Sequence, residues 1–508
     1  MSQSSVWTLA VTKAVLQQVP PLVEQSSQPC LRLNEQISAL TARYLSEPSN
    51  PTTTMDFENA LRLLLDECGR QIIESVFNHI EPEHPQDAPK HMQWDRLDYS
   101  RKNHKSVNRG GIATLFGTIQ LHRCLYEPLQ EARDDSQAAF APLEKCLGVV
   151  ALNATPALAE RVGRLSSQHT QQQMLDILER DHHVVWSVKV LRGVAAAVSV
   201  GITPYLRTAQ QETVLRWLAE AQQSRGRYRP VLAVGRDGIM LPIRDEGSQK
   251  EGGVGTVSVY DRRGRRLGTV YLGEMPQPLQ VTLRAELTAL LNGVLTSWEG
   301  PTPRLVYVTD AGYHQTTYFE EDLSKMENPR RAGELLEWRW IVDYYHAASY
   351  VSQLANVLFG EEKARQSWSR RQRLVLRDED RGVIRVLCSA SQHHGKKSWT
   401  VEQEKEYAEA YNYLLKHSPE MEYSKHKRLR LPIGSGVTEA GCKVVFTQRF
   451  KDSGMTWSLE GGEVILRLRL AVLSGVWDVV YREYLNHRPF VPLATPRVIS
   501  PQTSQKAA

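Results

Sequence analysis

"RLVYVTDAGYH" (304–314) is a short apolar run, rich in β-branched residues, that stops at an acid. A buried strand ending at Asp310 is its expected form. Upstream, "VTLRAELTALLNGVLTSW" (281–298) has helical apolar spacing. Before it, "VGTVSVYDRRGRRLGTVYLGE" (254–274) reads as two alternating strands joined at "DRRG". "RPVLAVGRDGIMLPIR" (229–244) reads as a strand interrupted near Asp237-Gly238. Downstream, "WRWIVDYYHAASYVSQLANVLFG" (338–360) is a strand running into a helix, and residues 361–420 are helical and charged. Gly434-Ser435-Gly436 then precedes a helix that carries Glu439.

Three hairpin-connected strands, a helix and a strand with an acid at its end follow the order of a ribonuclease H-like (retroviral-integrase-like) α/β fold. In that fold the first and fourth strands are neighbours, so Asp237 and Asp310 would lie side by side. Each acid alone has an ordinary explanation: Asp-Gly forms turns, and Asp-Ala-Gly can be a plain strand exit. Glu439 is a lone acid followed by Lys443, Arg449 and Lys451. Such a Glu suits a helix N-terminus, and Lys443 stands at i+4 as a partner. Alternatively it is the third corner of a metal site. Val437, Ala440, Gly441 and Val444 are expected to pack this helix on the sheet, with Gly441 and Cys442 small enough for close approach.

Three converging carboxylates require a cation, because like charges a few ångströms apart do not all ionise unaided. Oxygen-only ligands select a hard ion, Mg²⁺ or Mn²⁺. Two such ions activate an attacking oxygen and stabilise the leaving oxygen of a phosphodiester. The chain offers no convincing Ser/His/Asp or Cys/His set for covalent catalysis.

The bulk composition agrees with a polyanion partner only locally. The 508 residues carry a formal charge of +5. Basic residues nonetheless cluster at 100–110, 261–266, 369–377 and 423–432, the last including Lys425, Lys427 and Arg428. Each cluster alone reads as a solvated face; together they suit a polyanion partner, with Lys425, Lys427, Arg428, Lys443, Arg449 and Lys451 as the expected contacts. Six scattered cysteines without a CxxC pair argue against a zinc ribbon and a disulfide scaffold, and for a reducing cytosol. No apolar run reaches transmembrane length, and the first residues lack a signal-peptide pattern, so a cytoplasmic location is expected.

Four segments resemble a bacterial insertion-sequence DDE transposase of the ISKra type, in the Mutator-like neighbourhood. They are "DGIMLPIR", "YVTDAGYHQTTYF", "WIVDYYHAASYV" and "RLPIGSGVTEAGCKVVFTQRFKDSGMTWS", the last being the most specific. The resemblance covers about 229–480 well and the N-terminal half loosely. It implies Asp237, Asp310 and Glu439 as catalytic acids holding two Mg²⁺ or Mn²⁺ ions. It also implies a supporting role for Asp343 and His346 in "DYYH", and DNA contact by Trp457, for which a core position is an equal alternative. Metal-dependent cleavage at element ends and strand transfer into target DNA by a homodimer or larger assembly would follow, in a bacterial, nucleoid-associated setting. Alternatives are a catalytically silent DNA-binding protein of the same descent and a structure-selective nuclease on the same fold.

The expected organisation is a mostly helical region with a small hairpin over 1–150 and a helix-turn-helix-like unit over 151–200, for which a plain helical bundle fits equally. A catalytic domain over 229–480 follows, with a helical insertion at about 361–425, and then a tail over 481–508. The N-terminal half lacks a zinc-binding Cys/His set, so recognition of element ends falls to the helical unit or the basic segments.

Overall fold

The computed structural model describes residues 24–47, 50–129, 139–244, 249–394, 399–451 and 455–489, so the expected tail beyond 489 lies outside the described residues. The chain divides into one unit of residues 1–201 and 481–508 and a second of residues 202–480. The second therefore begins at Ile202 rather than near 229. All six cysteines are free, and no described helix is long and apolar enough to cross a membrane.

In the first unit, α1 (Glu24–Ser46) and α2 (Pro51–His79) form a helical hairpin. Asn50 starts α2 by accepting hydrogen bonds from the amides of Thr52 (2.9 Å) and Thr53 (3.0 Å). The segment after them is richer in strands than the sequence suggests. Seven short strands run through it: β1 (His91–Trp94), β2 (Leu97–Arg101), β3 (Ser106–Val107), β4 (Ile112–Thr114), β5 (Gly117–Ile119), β6 (His122–Arg123) and β7 (Tyr126–Pro128). They pair as β1-β2-β7, β3-β6 and β4-β5, the last being the expected hairpin. Next come α3 (Pro142–Cys146), α4 (Pro156–Ser166), α5 (Gln171–His182) and α6 (Val188–Gln223). Thr155 occupies the N-cap of α4 but makes no side-chain capping bond. The expected three helices are present, yet the third runs to Gln223, well past the short recognition helix anticipated.

The second unit is built on five strands: β8 (Val231–Pro242), β9 (Gln249–Tyr260), β10 (Arg266–Glu274), β11 (Arg304–Thr309) and β12 (Trp338–Val342). Their order is β10-β9-β8-β11-β12. The first three pair antiparallel, whereas β8, β11 and β12 are parallel. β8 passes unbroken through Asp237 and Gly238, which pair with Val254 and Gly253; the expected interruption is absent. The β9–β10 turn is closed by Asp261, whose Oδ1 accepts from the amides of Arg263 (2.9 Å) and Arg265 (2.8 Å).

Alternation sorts the strands' side chains between two layers. Leu232 and Val234 of β8, with Leu305 and Tyr307 of β11, pack against Leu283, Leu287, Leu290 and Val294 of α7 (Val281–Ser297). Val231, Ala233, Val306 and Val308 face the other way, toward α9 (Tyr344–Leu358) and the insertion, whereas α8 (Tyr313–Glu321) joins the α7 layer through Tyr318. The insertion comprises α10 (Glu362–Asp378), α11 (Gly382–His393), α12 (Val401–Lys416) and α13 (Tyr423–Arg428), joined to α9 through Leu354, Leu376, Val386 and Leu414. The chain then returns to the sheet as α14 (Gly436–Cys442), a π turn (Lys443–Thr447) and α15 (Leu459–Leu473).

Candidate active site

The acids meet at one edge because of strand register. β11 pairs with β8 through Arg304↔Val231 to Tyr307↔Val234. Carrying that register three residues on sets Asp310 level with Asp237. β11 pairs with β12 up to Thr309↔Val342, so Asp343 stands one strand further over at the same level. Parallel neighbours are spaced about 4.8 Å apart. Alternation then sends the Asp237, Asp310 and Asp343 side chains to the α9 and α14 face.

Each carboxylate is held differently. The Oδ1 of Asp237 accepts from the Gly238 amide (2.8 Å), and its Oδ2 accepts from the Cys442 thiol (3.4 Å). Burial, then the charges of Asp310 and Glu439, push the Asp237 carboxyl up to about 6. The same surroundings drive the Cys442 thiol far above the usual range, burial first and Asp237 next. Asp310 closes a turn through Oδ1 onto the Gly312 amide (3.1 Å), with Ala311 in the left-handed region at φ +63°. The Tyr413 hydroxyl donates to the Asp310 carbonyl (2.7 Å). Asp343 is fully buried and caps α9, accepting from the Tyr345 amide (2.9 Å) and from Ser435 Oγ (2.7 Å).

Ser435 also approaches Glu439 Oε1 at 3.2 Å. A hydroxyl has one proton, so it serves one carboxylate at a time. Glu439 is exposed, and among the described residues it makes no ion pair with Lys443.

α14 docks on β8 and β9 by a face rotated one residue from the expected one. Thr438, Gly441 and Cys442 are buried, whereas Val437 is half-buried and Ala440 exposed. The reason is polar: Thr438 Oγ1 and Thr256 Oγ1 hydrogen-bond at 2.9 Å. Gly235 leaves the room, since a Cβ there would stand 1.9 Å from Thr438 Oγ1. Gly235→Ala is therefore expected to lift α14, costing about 1–3 kcal/mol in a denaturant melt. Thr438→Ala in the same chain should recover part of that loss; no recovery would refute the contact as its cause.

The remaining expected contacts divide. His346 is half-buried between Tyr350 (5.3 Å) and Tyr413 (5.6 Å), the tyrosine bonded to Asp310. Lys443 and Lys451 are exposed. Arg449, expected on DNA, is instead 3% exposed and lies over the Trp457 ring at 4.9 Å, so it is a packing residue. Trp457 is half-buried, donates Nε1–H to the Phe450 carbonyl (3.1 Å) and pairs with Ile243 beyond β8. That supports its core alternative. Lys425, Lys427 and Arg428 are exposed but paired with Glu422, Asp378 and Asp380, which offsets the charge expected to attract DNA. Sequence reasoning does not find Ser435, Thr438 or Tyr413. Only the Gly-Ser-Gly run hints at the first.

Among the described residues, no three His, Cys, Asp or Glu side chains form a ready-made metal cluster. The donor chemistry nevertheless suits a hard divalent ion, since the carboxylates of Asp237, Asp310 and Glu439 are oxygen donors.

A Streptococcus gallolyticus protein, described as the UPF0236 protein in vanSb 3'region, is 23% identical to this chain over 389 residues. The match spans 75% of this chain and 76% of that protein. No family model matches the chain.

Proposed function

We propose that residues 202–480 form a ribonuclease H-like domain and that the protein is a DNA transposase of an insertion sequence. It would cleave DNA at the element's ends and join the freed 3′-OH to target DNA. The observation that carries this is the common register of Asp237 and Asp310 on adjacent parallel strands, with Glu439 close enough to act on the Asp237 carboxyl.

In this reading Asp237, Asp310 and Glu439 hold two Mg²⁺ or Mn²⁺ ions, which when bound activate the attacking oxygen and stabilise the leaving one. Gly238 and Cys442 fix the two oxygens of Asp237. Gly312 and Tyr413 fix Asp310. Ser435 steers Glu439 from the neighbouring buried Asp343. His346 packs against the tyrosine that holds Asp310, a positioning role. The exposed Lys443 and Lys451 follow Glu439 directly and are placed to meet phosphates. Two element ends must be brought together, so a homodimer or larger assembly on DNA is part of the proposal.

The test uses purified protein and a supercoiled plasmid carrying the DNA that flanks its own gene. Breaks at one boundary in Mg²⁺, absent in EDTA and followed by joining to new DNA, are expected. Binding at that boundary with no cleavage in Mg²⁺ or Mn²⁺ would leave a DNA-binding protein without chemistry. Cleavage without joining would leave a nuclease.

A further inference from the structure

The basic run at 369–377 lies on α10 and has no part in the acid edge. Between α9 and α10 the structure has a cleft of about 800 Å³, within the range of binding pockets. Its walls carry Arg365, Arg370 and Arg373 against a single carboxylate, Glu362, with Ser352, Ser369 and Asn356 among the rest. Glu362 is occupied by the Gln366 side chain (2.9 Å).

The guanidiniums are not equivalent. Arg373 is anchored, donating Nε–H to the Ala348 carbonyl (3.3 Å) and Nη2–H to Ser352, which also bonds Ser369 (3.1 Å). Arg365 and Arg370 form no ion pair among the described residues. Cations nearby on the insertion do: Arg377 with Asp378, Arg385 with Glu379, Lys427 with Asp378 and Arg428 with Asp380. Those four cations each have an acid, while Arg365 and Arg370 keep their charge. Planar guanidinium forks beside hydroxyls match phosphate oxygens.

We propose that this cleft is a second DNA site, which binds the phosphodiester backbone and not the bases. It rests on the DNA-transposase reading above. Position favours backbone over a free nucleotide. α9 begins at the acid edge, and Ser352 lies nine residues after Asp343, about 14 Å along the helix axis. A strand has one phosphate per 3.4 Å or so of duplex axis, so a DNA held at the acids passes within a few phosphates of the cleft.

The experiment measures binding of the full-length protein to a labelled duplex across a salt series. Wild type is compared with Arg365→Gln/Arg370→Gln and with Arg365→Lys/Arg370→Lys. Losing two phosphate contacts should make the slope of log K against log salt shallower by about two, on any DNA sequence. The lysine protein should keep most of the wild-type slope, and both variants should melt as wild type does. An unchanged slope in the glutamine protein, with wild type binding normally, overturns the cleft site alone. No DNA binding by wild type sinks the transposase reading instead. Loss of slope in the lysine protein as well, or strong competition by ATP but not by unlabelled duplex, would overturn backbone recognition.

Discussion

Asp310→Asn is expected to abolish cleavage, by on the order of a thousandfold or more, while leaving DNA affinity within about twofold. The reasoning is geometric. Asp310 stands level with Asp237 at the edge of two parallel strands. Its Oδ1 accepts a backbone hydrogen bond from Gly312, which an Asn carbonyl oxygen reproduces, so the turn survives. What disappears is one unit of negative charge among three acids. On the proposed two-ion reading this removes a charged ligand, and each thousandfold lost corresponds to about 4 kcal/mol of barrier. A plasmid nicking assay with a binding control decides it. Retention of a tenth of wild-type cleavage would remove Asp310 from the catalytic set.

Asp237→Asn should do two opposite things: end cleavage and stabilise the metal-free fold. The folded-state carboxyl titrates at about 6 against an ordinary 3.8. The folded protein therefore binds this proton more tightly than the unfolded chain does. Below about pH 4 the group is neutral in both states and costs nothing. As the pH rises through about 6 the folded state must carry a buried charge beside Asp310 and Glu439, and stability falls. Above that pH the full cost of holding the ionised carboxylate in the folded site is on the order of 3 kcal/mol. In urea titrations with EDTA, the Asn protein should exceed wild type by about 1–3 kcal/mol at pH 7.5 and match it near pH 4. Added Mg²⁺ should narrow the gap at pH 7.5 by stabilising wild type. A variant less stable than wild type at pH 7.5 would mean that the carboxylate is structural.

The element order of the second unit is legible in the sequence because its strands and helices are long and apolar. β8 and β11 carry continuous apolar runs buried on both faces, α7 buries side chains at helical spacing, and Asp310 falls where the β11 run ends. Apart from the β4–β5 hairpin, the strands of 91–128 are not legible. They have two to five residues each, too few for alternation to register. The β1–β2 turn is made by Asp95 and Arg96 at φ +47° and +65°, with no glycine to mark it. The docking face of α14 departs from expectation because a threonine pair sets its rotation, and an apolar stripe carries no trace of that bond. Arg449 departs because the ring that covers it, Trp457, stands eight residues on and outside its helix, a contact that helical spacing does not signal. The cluster at 423–432 reads as unpaired because two of its partners, Asp378 and Asp380, lie more than 40 positions upstream.

The return of the chain to β8 after the long helical insertion also sets a timetable. Asp237, Asp310 and Asp343 emerge from the ribosome well before Ser435, Thr438 and Glu439. In the folded protein Thr438 of α14 seats against Gly235 of β8. At about 5–20 residues per second, several seconds pass between synthesis of Asp343 and synthesis of Glu439. On the transposase reading proposed above, a prematurely ended polypeptide would lack the third acid, and cutting would be reserved for chains translated past the last turn of α14.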